Sequence, residues 1–152
     1  MHLNVLMHNV EPSQLSFFSI VELNKIVESK GSISPIIYQE TPSSPCVNML
    51  FPTMQIAEAW AQKGVGIATS LSTASKLLSL PCMERKLFYV WDLTWLRHPK
   101  HYEYHASIYT NQHLELIARS ESHAKLITNC FNRDVKHILR DFNHEELLEI
   151  LK

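Results

Sequence analysis

The chain has 152 residues, 45% of them hydrophobic and 19% charged, with a formal net charge of −1. This suits one globular domain (residues 1–152) able to bury about two-thirds of its unfolded surface. The near-neutral balance argues against a protein that lives on nucleic acid or an anionic membrane, and no run approaches the roughly 18 apolar residues of a spanning helix.

From the amino terminus, Leu3 to Met7 reads as a strand, and Glu11-Pro12-Ser13 as a turn. Asn4 and His8 interrupt the opening apolar run, so it resembles neither a signal peptide nor an anchor. Ser13 caps a predicted helix through Ser29, with Phe17, Ile20, Leu23 and Val27 on one face and Gly31 as its terminator. Ile33 to Gln39 is the second strand, and Thr41 to Pro45 is a loop. Val47 to Phe51 is predicted as a third strand, and Thr53 to Gln62 as a helix carrying Met54, Ala57 and Trp60. Val65 to Ala68 forms the next strand, ending at Thr69-Ser70. Ser70 or Ser72 caps a helix over Thr73 to Leu80, which Pro81 stops.

Leu87 to Leu93 is the most β-like run, ending at Trp91-Asp92. Thr94 to Gln112 is rich in aromatic residues and histidine, and partly helical after Pro99. Leu114 to Ala118 is a strand. Ser120 or Ser122 then caps a helix whose apolar stripe is Ala124, Ile127, Cys130 and Phe131. Val135 to Leu139 is the last strand, and Asn143 with Glu146 opens a final helix with Leu147, Leu148 and Leu151 inward. Strands alternating with helices give a doubly wound, mainly parallel α/β sheet of about seven strands, Rossmann-like, with helices on both faces. The expected strand order is 3-2-1-4-5-6-7.

In such sheets ligands bind outside the carboxyl ends of the strands, where the order reverses. The polar residues at those ends are His8, Asn9, Thr69, Ser70, Asp92, Arg119, Ser120, Glu121 and Asp141. Turns and caps also favour these residue types, so each has a purely structural reading beside the functional one. Three glycines, at 31, 64 and 66, allow neither G-x-G-x-x-G nor a Walker loop, and no nucleotide cofactor is expected. His98, His101 and His105 have zinc-compatible intervals, but Pro99 breaks the helix and no cysteine is near, so a solvated face is the better reading and no metal is expected. A Ser70–His8–Asp92 triad lacks a G-x-S-x-G elbow. Trp95, beside Arg97-His98, is expected to be partly exposed and able to stack on a ligand. Cys46, Cys82 and Cys130 read as reduced thiols of a cytoplasmic protein.

The segments "ARSESHAKLI" and "RDFNHEEL", with "YVWDLTW" as a middle strand, resemble the end of the amino-terminal half of GT-B glycosyltransferases. The likeness covers the chain as a pattern. It departs at His8-Asn9-Val10-Glu11-Pro12, where the family has a glycine-rich turn, and the family's second, nucleotide-sugar-binding half has no counterpart in these residues. The resemblance implies an acceptor-side half, inactive alone, that works with a donor-binding subunit or as a homo-oligomer on a sugar or nucleotide-sugar. His8, Asp92 and Glu121 are then the candidate bases for an acceptor hydroxyl. Asn9, Thr69, Ser70, Trp95, Arg119 and Ser120 are candidate binding residues, with Arg119 and its helix terminus holding an anionic group. The alternative is a non-catalytic interaction or ligand-binding domain on the same scaffold; a small hydrolase or nucleotide-binding regulator is weaker.

Overall fold

The computed structural model describes residues 1–152. Seven strands alternate with six helices: β1 (His2–Met7), α1 (Gln14–Glu28), β2 (Ser34–Gln39), β3 (Thr53–Gln55), β4 (Val65–Ala68), α2 (Leu71–Ser79), β5 (Arg85–Tyr89), α3 (Thr94–Arg97), α4 (Tyr102–Tyr109), β6 (Glu115–Ala118), α5 (Glu121–Phe131), β7 (His137–Ile138) and α6 (His144–Leu151). The strands form one sheet in the order β3-β2-β1-β4-β5-β6-β7. Every pairing is parallel, with β1 joined to β2 through Val5–Ile37 and to β4 through Val5–Ile67. This is the Rossmann-like α/β arrangement read from the alternation, and its strand order is the expected one.

A parallel sheet is buried on both faces. On one, Leu3, Val5, Met7, Ile37, Ile67 and Tyr89 pack against Ile20, Leu23 and Ile26 of α1 and Leu147, Ile150 and Leu151 of α6. On the other, Leu6, Tyr38, Ala68, Phe88 and Leu116 meet Leu77 of α2, Trp95 of α3, Tyr109 of α4, and Ile127 and Phe131 of α5. Asn4, fully buried in β1, donates from Nδ2 to the carbonyls of Lys63 (3.0 Å) and Val65 (3.2 Å), fixing the chain where β4 begins. Gly64 precedes β4 at φ +99°, and a Cβ there would lie 2.3 Å from the His2 carbonyl oxygen. Only glycine fits that turn.

Several local expectations are corrected. Residues 47–51 are irregular rather than a strand, and the third strand is Thr53–Gln55, paired with β2. Asn24 holds the irregular segment, its side chain bonding Asn48 O (2.8 Å) and Leu50 N (2.9 Å). The predicted helix over 53–62 is therefore this short strand and a single 3-10 turn, Ile56–Ala59, leaving Trp60 61% exposed. The Met54, Ala57, Trp60 spacing is too brief to hold a helix against the ladder that β2 offers. At the end of α1 the left-handed residue is Lys30 (φ 52°), one position before Gly31. That helix turns Ser16 and Ser19 inward, the Ser19 hydroxyl reaching Met7 Sδ at 3.6 Å, and leaves Phe17 exposed.

At the opposite edge from the strand ends, β5, β6 and β7 are tied by charge. Arg85 grips Glu115 with two bonds of 2.8 Å and reaches the Ile150 carbonyl at 2.6 Å, while His137 Nε2 lies 3.0 Å from the same carboxylate. The Arg85 bonds, opposed by burial and aided by His137, hold the Glu115 carboxyl at about 2, below its ordinary 4.5. A depressed carboxyl stabilises the fold above its unfolded value and loses that contribution as the pH falls toward its folded one. Urea unfolding between pH 7 and pH 2 is expected to show Glu115→Gln less stable than the parent at neutral pH. The difference should shrink as the pH drops from about 4.5 toward 2; parallel curves would refute the assignment.

Candidate functional site

Because the sheet is parallel, the loops after β1, β4, β5, β6 and β7 emerge at one edge. The widest concavity there, about 510 Å³, lies among the loops that follow the last three strands. Trp91 and Leu93 come from the β5 loop, Arg119, Ser120 and His123 from the start of α5, and Arg140 and Asp141 from the β7 loop. A small hollow of about 30 Å³ shares Trp91 as a wall and is lined also by Thr69, Ser70, Asp92, Thr94 and Tyr109.

Local structure explains how these groups are presented. Ser120 caps α5, its Oγ accepting from the His123 amide at 3.2 Å. This leaves the Glu121 and Ser122 amides among the first-turn N–H groups with no intrahelical acceptor. The Arg119 guanidinium lies 3.7 Å from the centroid of the Trp91 ring and 3.5 Å from Asp141 Oδ1. Arg140 pairs with Glu146 at 2.7 Å. The β7 loop is strained, since Asp141 (φ 46°) and Phe142 (φ 61°) are both left-handed. Such residues cost of order 1–3 kcal/mol each and persist only where packing over-determines them. Here Phe142 is fully buried, edge-on to Tyr89 at 5.5 Å, and the Tyr89 hydroxyl donates to Leu139 O at 2.6 Å. Burial pushes that phenol up to about 12.

The structure divides the anticipated site residues. Arg119 and Ser120 line the large crevice, and Thr69, Ser70 and Asp92 the small hollow beside it. Ser70 also caps α2, and the Thr69 hydroxyl donates to Leu6 O at 2.9 Å, tying β4 to β1. Asp92 is open to solvent, its side chain 64% exposed and 3.6 Å from Arg97. Glu121 is exposed in the first turn of α5. His8 and Asn9 line neither space. His8 faces Glu40 at 3.6 Å, within a cluster that includes Ser72 and Lys76. Burial raises the Glu40 carboxyl, but its bonds to Ser72, Lys76 and His8 bring it below its ordinary value. Asn9 accepts from the Glu11 amide at 3.1 Å, shaping its own turn.

Trp95 is a correction. It is buried, with Tyr109 and Phe131 edge-on at 4.9 Å, because the aromatic residues of α4 and α5 close over it and remove it from any ligand's reach. Among His, Cys, Asp and Glu side chains, no three converge as a metal would require. His123 and Arg140 line the crevice without having been singled out. The capping serine three residues ahead of His123 marks its place in the first turn, and nothing local marks Arg140. Compared with known protein families, characterised proteins and solved structures, the chain matches none.

The cap is testable on its own. Ser120→Ala is expected to cost about 1 kcal/mol in denaturant unfolding, while Ser122→Ala, at an exposed position that caps nothing, should change stability by no more than about 0.5 kcal/mol in either direction. Equal losses would show that the helix is not held by Ser120.

Proposed function

We propose that this chain is the acceptor-side half of a GT-B-type glycosyltransferase. It holds a sugar-bearing acceptor in the crevice at Trp91 and Arg119, while a donor-binding partner supplies the nucleotide-sugar. One observation carries the reading. An indole, two guanidinium groups and the open first turn of α5 converge at the carboxyl edge of an all-parallel sheet. Ligands of open α/β sheets bind outside the carboxyl ends of the strands, and this crevice opens at that edge beside β5–β7, away from the switch between β1 and β4. An aromatic wall suits the C–H face of a sugar, and guanidinium donors suit its hydroxyl and anionic oxygens.

Of the three candidate bases, Asp92 is best placed, because it lines the hollow that shares the Trp91 wall. Its exposed carboxylate faces Arg97 at 3.6 Å, whereas His8 lines neither the crevice nor the hollow. Glu121 lies on the adjoining helix turn and is the second choice. The second reading, a ligand-binding domain without transfer, uses the same crevice. It is favoured by the β1–α1 turn, where His8 to Pro12 includes no glycine to admit a pyrophosphate.

Calorimetry and NMR on the full chain test the proposal. Neutral sugars or sugar phosphates are expected to shift Trp91, Asp92 and Arg119 saturably, while nucleotide-sugars give no measurable heat. Low-micromolar affinity for a nucleotide-sugar would overturn the acceptor-half assignment, as would silence of these residues toward every sugar.

A further inference from the structure

Glu22 is a buried carboxylate that takes no part in the crevice. It sits in α1 next to the core residue Leu23 and is only 9% exposed. Its Oε1 accepts from Lys25 Nζ at 2.6 Å, one turn along the same helix. Its Oε2 faces His144, taking the backbone amide at 2.9 Å and the ring Nδ1 at 2.6 Å. A carboxylate only accepts, so the ring hydrogen in that contact resides on Nδ1. Burial raises the Glu22 carboxyl, but its bonds to Lys25 and His144 bring it below its ordinary value, and it is ionised at neutral pH. A buried charge seldom adds net stability over an apolar side chain of the same size; its better-attested use is to fix one arrangement.

The arrangement fixed here is the start of α6. A helix begins with four amides that lack intrahelical acceptors. In α6 the Asn143 amide donates to Arg140 O at 2.8 Å, and those of Glu145 and Glu146 donate to Asn143 Oδ1 at 3.0 Å. The fourth, from His144, has Glu22 as its partner, 122 residues away in sequence. The same turn carries the crevice. Glu146 accepts from both the amide and the guanidinium of Arg140, each at 2.7 Å. Asp141 follows, 3.5 Å from the Arg119 guanidinium, which lies 3.7 Å from the Trp91 centroid. No residue of α1 lines that space, so Glu22 reaches it only through α6.

We propose that Glu22 is a positioning residue of the crevice. By holding the first turn of α6 to α1, it sets where the β7 loop presents Arg140 and Asp141, without touching anything received there. Removing the carboxylate leaves an amide and an imidazole without their acceptor at the helix start, and the loop that the turn anchors shifts with it. This rests on the acceptor reading for what the crevice receives, though not for the coupling itself.

The test is NMR on the full chain, first without any ligand. Glu22→Ala is expected to speed exchange of the His144 amide roughly tenfold or more. It should also move the Arg119 Nε–H and Trp91 indole N–H resonances, which lie in the crevice and touch neither α1 nor α6. Ile26→Val trims the core on the same helix and spares the His144 contact. It serves as the control for general loosening and should leave both crevice resonances in place. Glu22→Gln, whose side-chain carbonyl still accepts from the His144 amide, should recover part of the change. Melting curves establish that the variants are folded, and Glu22→Gln against the parent decides the matter if Glu22→Ala is not. Crevice resonances unmoved by the loss of the carboxylate, or moved equally by Ile26→Val, would overturn the proposal. Titration with a hexose phosphate then separates the two claims. If the resonances move as described but the hexose phosphate and neutral sugars bind neither parent nor variant, the positioning role stands and the acceptor reading falls. If sugars bind at Trp91 with the same affinity in parent and Glu22→Ala and the free resonances coincide, the reverse holds.

Discussion

The parallel pairing of β1 with β2 on one side and β4 on the other is the constraint from which the architecture follows. Parallel neighbours need crossover connections, so a helix must leave and return between most strands. With β1 interior and buried, those helices cover both faces, α1 and α6 on one and α2, α4 and α5 on the other. Asn4 and Gly64 guard the junction, one by bonding the carbonyls beside β4 and the other by permitting the His2 carbonyl to approach. Because all strands run the same way, the loops that follow them are gathered at one edge.

The crevice itself depends on the outer strands, away from the switch between β1 and β4. Its floor is held from below by the bond from Tyr89 to the Leu139 carbonyl and by Phe142 in the core. Those contacts sustain two consecutive left-handed residues and so project Arg140 and Asp141 outward. From the side, the Ser120 cap sets the first turn of α5, and the Arg119 guanidinium rests on Trp91. Each polar group in the crevice is therefore positioned by an element whose packing is independent of any ligand, as preorganised recognition requires.

The legible parts of the sequence were those governed by long apolar periods and side-chain caps. Strand–helix alternation revealed the parallel sheet, its order is the one usual for doubly wound halves, and Ser13, Ser70, Ser120 and Asn143 cap the helices expected to follow them. The third strand was obscured, because Thr53–Gln55 is three residues long and borrows its regularity from β2. Gly31 misled because Lys30 takes the left-handed turn before it. For the site, reading strand ends located Asp92, Arg119 and Ser120, but could not reveal that the open space favours the β5–β7 side and leaves His8 with Glu40. Trp95 was misjudged because its burial depends on Tyr109 and Phe131, distant in sequence. The places of His123 and Arg140 in the crevice depend on a backbone donor and a strained turn, neither of which leaves a residue pattern.

The central claim is that ligands are received at the carboxyl edge beside Trp91 and Arg119. Hydrogen–deuterium exchange of the full chain, with and without a hexose phosphate, tests it most directly. The account predicts slowed exchange at the start of α5, around Arg119 to His123, and in the β7 loop around Arg140 and Asp141, with the rest of the sheet unchanged. Protection confined to the opposite edge, around Glu84 to Lys86 and Asn111 to His113, or no protection at either edge, would contradict it.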